Sequence, residues 1–241
     1  MINVLHLYYD LLNLYGENAN TRCIEHTLKL NNVKTNIDYK SINEEIDFDK
    51  YDLIYISQGS EENLLIALND IKRHKKGLNK FIEDNKYLIL TGNAMDLFGK
   101  YIEINDEKHT ALDIFNYNTK FITKSNFENT SVDRIVGQVY GDTKLIDKKI
   151  IGFQNRCDLN HNVKTPLFKL DEKFSNDLTN KNEGFTYKNV YATHIIGPLL
   201  IRNPFFTDYI LSKLCKDKKI KYDKLDEISI KAYEKYLSNF Y

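Results

Sequence analysis

Residues 86–99 read KYLILTGNAMDLFG: an apolar run, a small turn residue, then a helix that closes on Gly99. An apolar run without helical period is what a strand buried on both faces requires. The turn that follows therefore sits at the strand's carboxyl end. In α/β enzymes such a strand, sharp turn and helix hold a nucleophile up to its substrate. Neither Cys nor Ser stands at the turn here.

Residues 2–9 (INVLHLYY) and 51–59 (YDLIYISQG) have the same doubly buried texture, and 34–40 (KTNIDYK) reads as another strand. Between them, 16–32 (GENANTRCIEHTLKLNN) places Cys23, Ile24 and Leu28 on one helical face, and Asn31 and Asn32 stop it. Residues 60–76 (SEENLLIALNDIKRHKK) place Leu64, Leu65 and Leu68 inward behind a Ser60 cap, and 77–85 (GLNKFIEDN) forms a short helix. Strands alternating with helices predict an α/β fold: three layers around a mostly parallel sheet. The crevice of such a sheet lies at its strands' carboxyl ends, here residues 8–16, 57–60 and 91–94.

Beyond residue 100 the texture shifts to short strand candidates, 100–105, 110–117, 120–124, 133–141 and 148–155, which predict an antiparallel extension. The Asn-rich 175–184 reads as a surface loop, and 189–200 (NVYATHIIGPLL) as a last central strand. In 203–216, Asn203 is expected to cap a helix with Pro204 at its first position and Phe206, Ile210 and Leu214 inward. A terminal helix over 224–240 places Leu225, Ile228, Ala232 and Tyr236 on one side. At 241 residues, 42% of them hydrophobic with 17 Tyr and 13 Phe, the whole chain 1–241 is expected to pack as a single domain.

Composition excludes some functions. Thirty-four basic and 34 acidic residues balance, so no net field draws the chain to nucleic acid or an anionic membrane. No apolar stretch approaches the roughly 20 residues of a membrane helix, and the N-terminus has no basic leader, which together predict a cytoplasmic protein. The 3 cysteines (Cys23, Cys157, Cys215) form no Cys-x-x-Cys, and the 6 histidines show no i, i+4 pair; neither a metal nor a cofactor is expected.

Four stretches in order resemble the class I glutamine amidotransferases of the cobyric acid synthase type, most closely the glutaminase subunit of lipid II isoglutaminyl synthase. YYDLLNLYGENAN (8–20) looks like its Tyr-Pro-Asp-Leu-Leu-Asn-Leu-Tyr-Gly-Asp signature, with Tyr9 in place of Pro. GFQNR (152–156) is similar to Gly-Phe-Glu-Asn-His, with Gln154 for Glu and Arg156 for His. NVYATHIIGPLLIRNP (189–204) resembles Gly-Thr-Tyr-x-His-Gly-Pro-Leu-Leu-x-x-Asn-Pro, and LILTGNAMDLFG (88–99) stands where the family has a Cys-Gly-Gly-Tyr-Gln-x-Leu-Gly elbow.

The resemblance implies a flavodoxin-like fold and a chemistry in which an elbow Cys attacks the glutamine amide, a His relays the proton and backbone N–H groups hold the oxyanion. It also implies a partner: a Mur-ligase-like, ATP-dependent amide synthetase that takes up the ammonia in peptidoglycan synthesis. Counting back from Gly99, however, puts Gly92 at the nucleophile's position, and counting back from GPLL puts Ile196 at the histidine's. The family route is therefore expected to be lost. His194, Cys157 and Thr91 are the weak substitutes for a relocated chemistry. Asp96 stands where the family has Gln and is expected to face outward near a helix N-terminus. Gln58 and Gly59, in the place of the family's Gly-Gly-Gly-x-Asp turn, are ligand-binding candidates with Asn93 and Arg134. Arg134 matches an Arg that grips the glutamine carboxylate in the family. Two functions follow: a non-catalytic subunit, regulator or small-molecule binder, or an ammonia-supplying amidotransferase or hydrolase with relocated groups.

Overall fold

The computed structural model describes residues 1–122 and 134–238. Strands β1 (Ile2–Leu7), β2 (Thr35–Lys40), β3 (Leu53–Ile56) and β4 (Tyr87–Thr91) alternate with helices α1 (Ala19–Leu30), α2 (Glu61–Ile71) and α3 (Lys75–Glu83). The chain continues through β5 (Tyr101–Ile104), β6 (Glu107–Thr110), β7 (Asn118–Phe121), β8 (Ile135–Gly141), β9 (Ile150–Arg156) and β10 (Asp158–His161). It then runs through β11 (Phe168–Lys169), β12 (Asn182–Glu183), β13 (Phe185–Tyr187) and β14 (Val190–Thr193) into α4 (Leu199–Arg202), α5 (Pro204–Asp217) and α6 (Glu227–Leu237).

The central sheet has the order β13-β14-β4-β3-β1-β2, and only β13 runs antiparallel to its neighbour. The protein is thus α/β with a mostly parallel sheet. Every residue of β3 and β4 is buried, because helices cover both faces. Each Leu or Ile so enclosed contributes about 1.5–3 kcal/mol relative to exposure. Ser60 accepts from Asn63 N at 3.2 Å and starts α2 as expected, beside the carboxyl end of β3.

The extension is a four-stranded sheet, β10-β7-β5-β6, and a β8–β9 hairpin; all its pairs are antiparallel except β5–β7. Residues 123–124 and 133 of its expected strands, and 239–240 of the terminal helix, lie outside the described residues.

Four expectations are corrected. Residues 111–117 are not a strand: Leu112 N and Phe115 N donate to Leu97 and Phe98 carbonyls at 2.9 and 3.0 Å. The apolar side chains there record burial, not pairing. Residues 175–184 are not all surface loop. Asn176 exchanges two side-chain hydrogen bonds with Gly184 and so closes the segment as a strand partner would, burying Ser175, Asn176 and Glu183.

Asn203 precedes α5, but its amide does not cap it; it accepts from Ile151 N at 2.9 Å and donates to Ile151 O at 2.7 Å, tying α5 to β9. On α6, Ile228 is 81% exposed and Tyr233 is the buried residue. Asp226 accepts from Ile228 N and Ser229 N, and this cap sets a helical phase that turns Ile228 outward.

His6 is fully buried on β1, one strand in from the edge of the sheet. Its Nδ1 meets Thr21 Oγ1 at 3.1 Å, and its Nε2 has no hydrogen-bond partner among the described residues. Burial drops its pKa to about 4. A folded-state pKa below the unfolded value gives stability that is present above about pH 6.5 and lost as pH falls toward 4. On the order of 3 kcal/mol is expected to go over that interval. Urea midpoints of wild type and His6→Phe from pH 7 to 4 check it: the variant, which cannot titrate, should lose less, and parallel curves would refute the assignment.

Candidate functional site

After Thr91 the chain enters a 3-10 helix, Gly92–Phe98, whose residues are all buried. Gly92 has φ +61°, the left-handed conformation in which a nucleophile elbow holds its side chain clear of the strand. The space ahead of it is taken. A Cβ built on Gly92 would overlap Gln58 Oε1 and Cβ and lie 2.8 Å from its Cδ. Gln58 is held there by its Nε2, which donates to Asn155 O at 3.1 Å.

Asn93, the next residue, closes the second half of the site. Its Oδ1 accepts from Gly59 N at 3.0 Å and its Nδ2 donates to Gly59 O at 2.9 Å. The Gly59 N–H, a candidate donor to a bound anion, is thus occupied by the protein's own amide.

Ile196 is buried and exchanges backbone hydrogen bonds with Phe153 at 2.8 and 3.1 Å. Next to it lies Glu17, which sequence reasoning passed over. Its Oε1 accepts from Gly197 N at 2.8 Å, and its Oε2 from Asn20 Nδ2 at 2.9 Å and Tyr55 OH at 3.2 Å. Burial raises its pKa against these hydrogen bonds. The signal that could have found it was its place in the YGEN stretch. Thr91, one of the substitutes, faces the core, with Oγ1 2.8 Å from Tyr55 OH.

Gln58, Gly59, Asn93 and Arg134 line one cleft of about 170 Å³, together with Glu61 and Cys157. Arg134 donates through Nε to Asn155 Oδ1 at 2.8 Å, and its Nη1 lies 3.5 Å from Glu61 Oε1. A guanidinium beside a carboxylate is matched to a ligand bearing both a carboxylate and an ammonium group. Cys157 Sγ donates to Glu61 Oε1 at 2.9 Å. Burial first, then this bond and the nearby negative charges, push the thiol's pKa far up, so at neutral pH it is a hydrogen-bond donor and not a thiolate.

The other substitute, His194, does not line this cleft. β14 ends at Thr193, so the strand alternation that would align His194 with Ile196 stops one residue short. The imidazole is fully buried, with Nε2 2.8 Å from Asp158 Oδ2 and Nδ1 3.2 Å from Glu183 Oε1. Asp96 also turns inward, against expectation. A 3-10 helix advances 120° per residue and an α-helix 100°, so four residues past Gly92 the side chain has swung roughly 80° further round. Its Oδ1 accepts from Thr119 Oγ1 at 3.0 Å and Asn160 Nδ2 at 2.8 Å.

Arg156 completes this buried network. It donates to Gln154 Oε1 at 3.2 Å and to the Asp158 and Ser175 carbonyls. Burial and the charge of Asp158 raise the Asp96 carboxyl to about 8. For His194, burial and Arg156 act downward, but Asp158 and Glu183 outweigh them and lift it to about 9.

Two curated relatives align with almost the whole chain. The lipid II isoglutaminyl synthase (glutamine-hydrolyzing) subunit GatD of Staphylococcus aureus is 28% identical over 223 residues, 92% of this chain and 88% of the relative. The subunit of the same name from Streptococcus pneumoniae is 24% identical over 241 residues, 98% of this chain and 87% of the relative. No family model matches the chain. Among solved structures, the glutaminase domain of Trypanosoma brucei CTPS with bound acivicin superposes with a TM-score of 0.49 at 10% identity, over 94% of this chain and 98% of that one. The resemblance read from four sequence stretches therefore extends over nearly the whole chain, and the proteins it is similar to are GatD subunits of glutamine-hydrolyzing lipid II isoglutaminyl synthase.

Proposed function

We propose that the chain is a glutamine amidotransferase-like subunit of lipid II amidation that does not release ammonia by the family route. In this reading residues 1–241 form one non-catalytic domain in the cytoplasm. It binds glutamine or a related amino acid and docks on, or regulates, a Mur-ligase-like ATP-dependent synthetase. Support comes from the named relatives and from the cleft, where Arg134 and Glu61 stand ready for a carboxylate and an ammonium. Among the described residues no helix is long and apolar enough to cross a membrane.

The observation that carries this reading is the Gln58 side chain in the space a nucleophile at position 92 would need. With Ile196 at the histidine's position, attack and proton relay are both missing. Losses of this kind cost on the order of 10⁴ to 10⁶ in turnover.

Incubating the purified chain with glutamine, alone and with a Mur-ligase-like synthetase, should give no ammonia above buffer. Calorimetry should still find glutamine binding, weakened at least tenfold by Arg134→Gln, since one charge-assisted pair contributes about 1.5–3 kcal/mol. The 2.9 Å Cys157–Glu61 contact supports a second reading, a hydrolase whose relocated thiol gives its proton to Glu61. Ammonia release that disappears in Cys157→Ala would put that reading in place of the first. Absence of any glutamine binding would remove the binder.

A further inference from the structure

We propose that Asp96, Asp158 and His194 bind one divalent metal ion, Zn²⁺ or Mn²⁺, behind the wall of the cleft. The three come from the elbow helix, from β10 and from the residue after β14, so no spacing rule on the sequence could have joined them. Their ligating atoms lie within 4.8 Å of one another, and all three residues are buried. Two carboxylates and an imidazole are a donor set for borderline divalent cations. This inference is independent of the proposed function.

Three observations point to a cation. Asp96 Oδ2 is buried and has no hydrogen-bond partner among the described residues; Asn160 Oδ1, on the residue that donates to Asp96 Oδ1, has none either. Buried oxygens left unmatched are costly, and a cation beside them removes the cost.

The second observation is the orientation of the imidazole. Glu183 accepts from His194 N at 2.8 Å and from Thr193 Oγ1 at 2.8 Å, and it faces Nδ1 at 3.2 Å. A carboxylate on Nδ1 holds a ring proton there, so that when an ion displaces the Nε2 proton the freed lone pair is aimed at the other ligands, as in carboxylate–histidine–metal arrangements. Nε2 points at Asp158 Oδ2, 2.8 Å away.

The third is charge. Once Asp96 and His194 give up their protons, as metal ligands must, Asp96, Asp158 and Glu183 surround a single guanidinium, Arg156, so two negative charges remain and one divalent cation cancels them. Arg156 does not compete for the ligand atom: its nearest nitrogen is 3.9 Å from Asp158 Oδ2, and its donors go to Gln154 and two backbone carbonyls. Ligands on a tetrahedral Zn²⁺ stand roughly 3.3 Å apart, so His194 and Asp158 need to part by about half an ångström. Asp158 lines the cleft and gives the ion its way in.

The test starts from the full chain, dialysed and analysed by plasma mass spectrometry, which should find close to one equivalent of Zn²⁺ or Mn²⁺. After EDTA treatment the melting temperature should fall and recover with added Zn²⁺. Co²⁺ titrated into the stripped protein should saturate a visible absorption band at one equivalent. Asp96→Asn should weaken Co²⁺ binding more than tenfold, and Glu183→Gln, which removes the carboxylate behind the His194 ring, by roughly 10–100-fold. Below about a tenth of an equivalent, with no cobalt band and no response to EDTA, the proposal fails. It also fails if Asp96→Asn binds as wild type does, which would mark surface binding. Should Asp96→Asn not fold, the wild-type band and EDTA response decide alone.

Discussion

Gly92→Ala is expected to cost the protein about 2–5 kcal/mol, measured by urea unfolding. Two penalties combine. A side chain at φ +61° carries left-handed strain of about 1–2 kcal/mol. The new Cβ also falls on Gln58, whose own position is fixed by Asn155 O, and overpacking of this kind costs about 1–3 kcal/mol.

The two parts separate in a double-mutant cycle with Gln58→Gly. Removing that side chain should relieve the overlap and leave the backbone strain, so the coupling between the positions should be about 1–3 kcal/mol. Gly92→Cys follows the same arithmetic and should not restore glutaminase activity. Its sulfur would press on Gln58 and find Ile196 where a proton acceptor is needed. A loss below about 0.5 kcal/mol for Gly92→Ala, or ammonia from Gly92→Cys, would show that the space ahead of the elbow is open. The functional consequence is that the nucleophile's return requires more than one change.

The parallel sheet was legible because strands buried on both faces write continuous apolar runs, and LIYI and YLILT are such runs. The elbow was legible as a strand, a glycine and a helix closing on Gly99, and Gly92 does take the left-handed turn after β4. The four ligand candidates do meet in one cleft, because three of them sit just after β3 and β4, where topology brings neighbouring strand ends together.

What the sequence hid depends on rotation and on contacts between distant segments. Asp96 looked exposed because an α-helical phase was assumed where the backbone winds as 3-10. Ile228 looked inward because the phase of α6 is set by Asp226, one residue before the helix begins. Asp158, Glu183 and His194 join Asp96 through four separate segments, and polarity alone made 175–184 read as surface. A resemblance could flag the altered positions 96, 154 and 156, but not that they face one another.

Arg156→Met, made in chelator-treated protein, is expected to lose about 3–5 kcal/mol, the largest effect of any single change to the network. Methionine keeps much of the unbranched stem, so the loss would come from the guanidinium's charge and hydrogen bonds and not from a cavity. Arg156 is buried with Asp158 and Glu183, and without it both carboxylates stand in the interior against His194 alone. Arg156→Lys should restore little. The guanidinium serves Gln154 Oε1 and the carbonyls of Asp158 and Ser175 with a planar fork, and an ammonium cannot reach three acceptors set in those directions.

Ionic strength separates this from a surface effect. Surface pairs weaken as salt screens them, whereas the Arg156→Met loss should be nearly the same at 0.05 and 0.5 M NaCl. Adding Asp158→Asn to Arg156→Met should recover part of the loss, because it removes one of the charges left unmatched. A single-variant loss under about 1 kcal/mol, or one that shrinks with salt, would mean that water reaches these groups and that the interior behind the cleft is not closed.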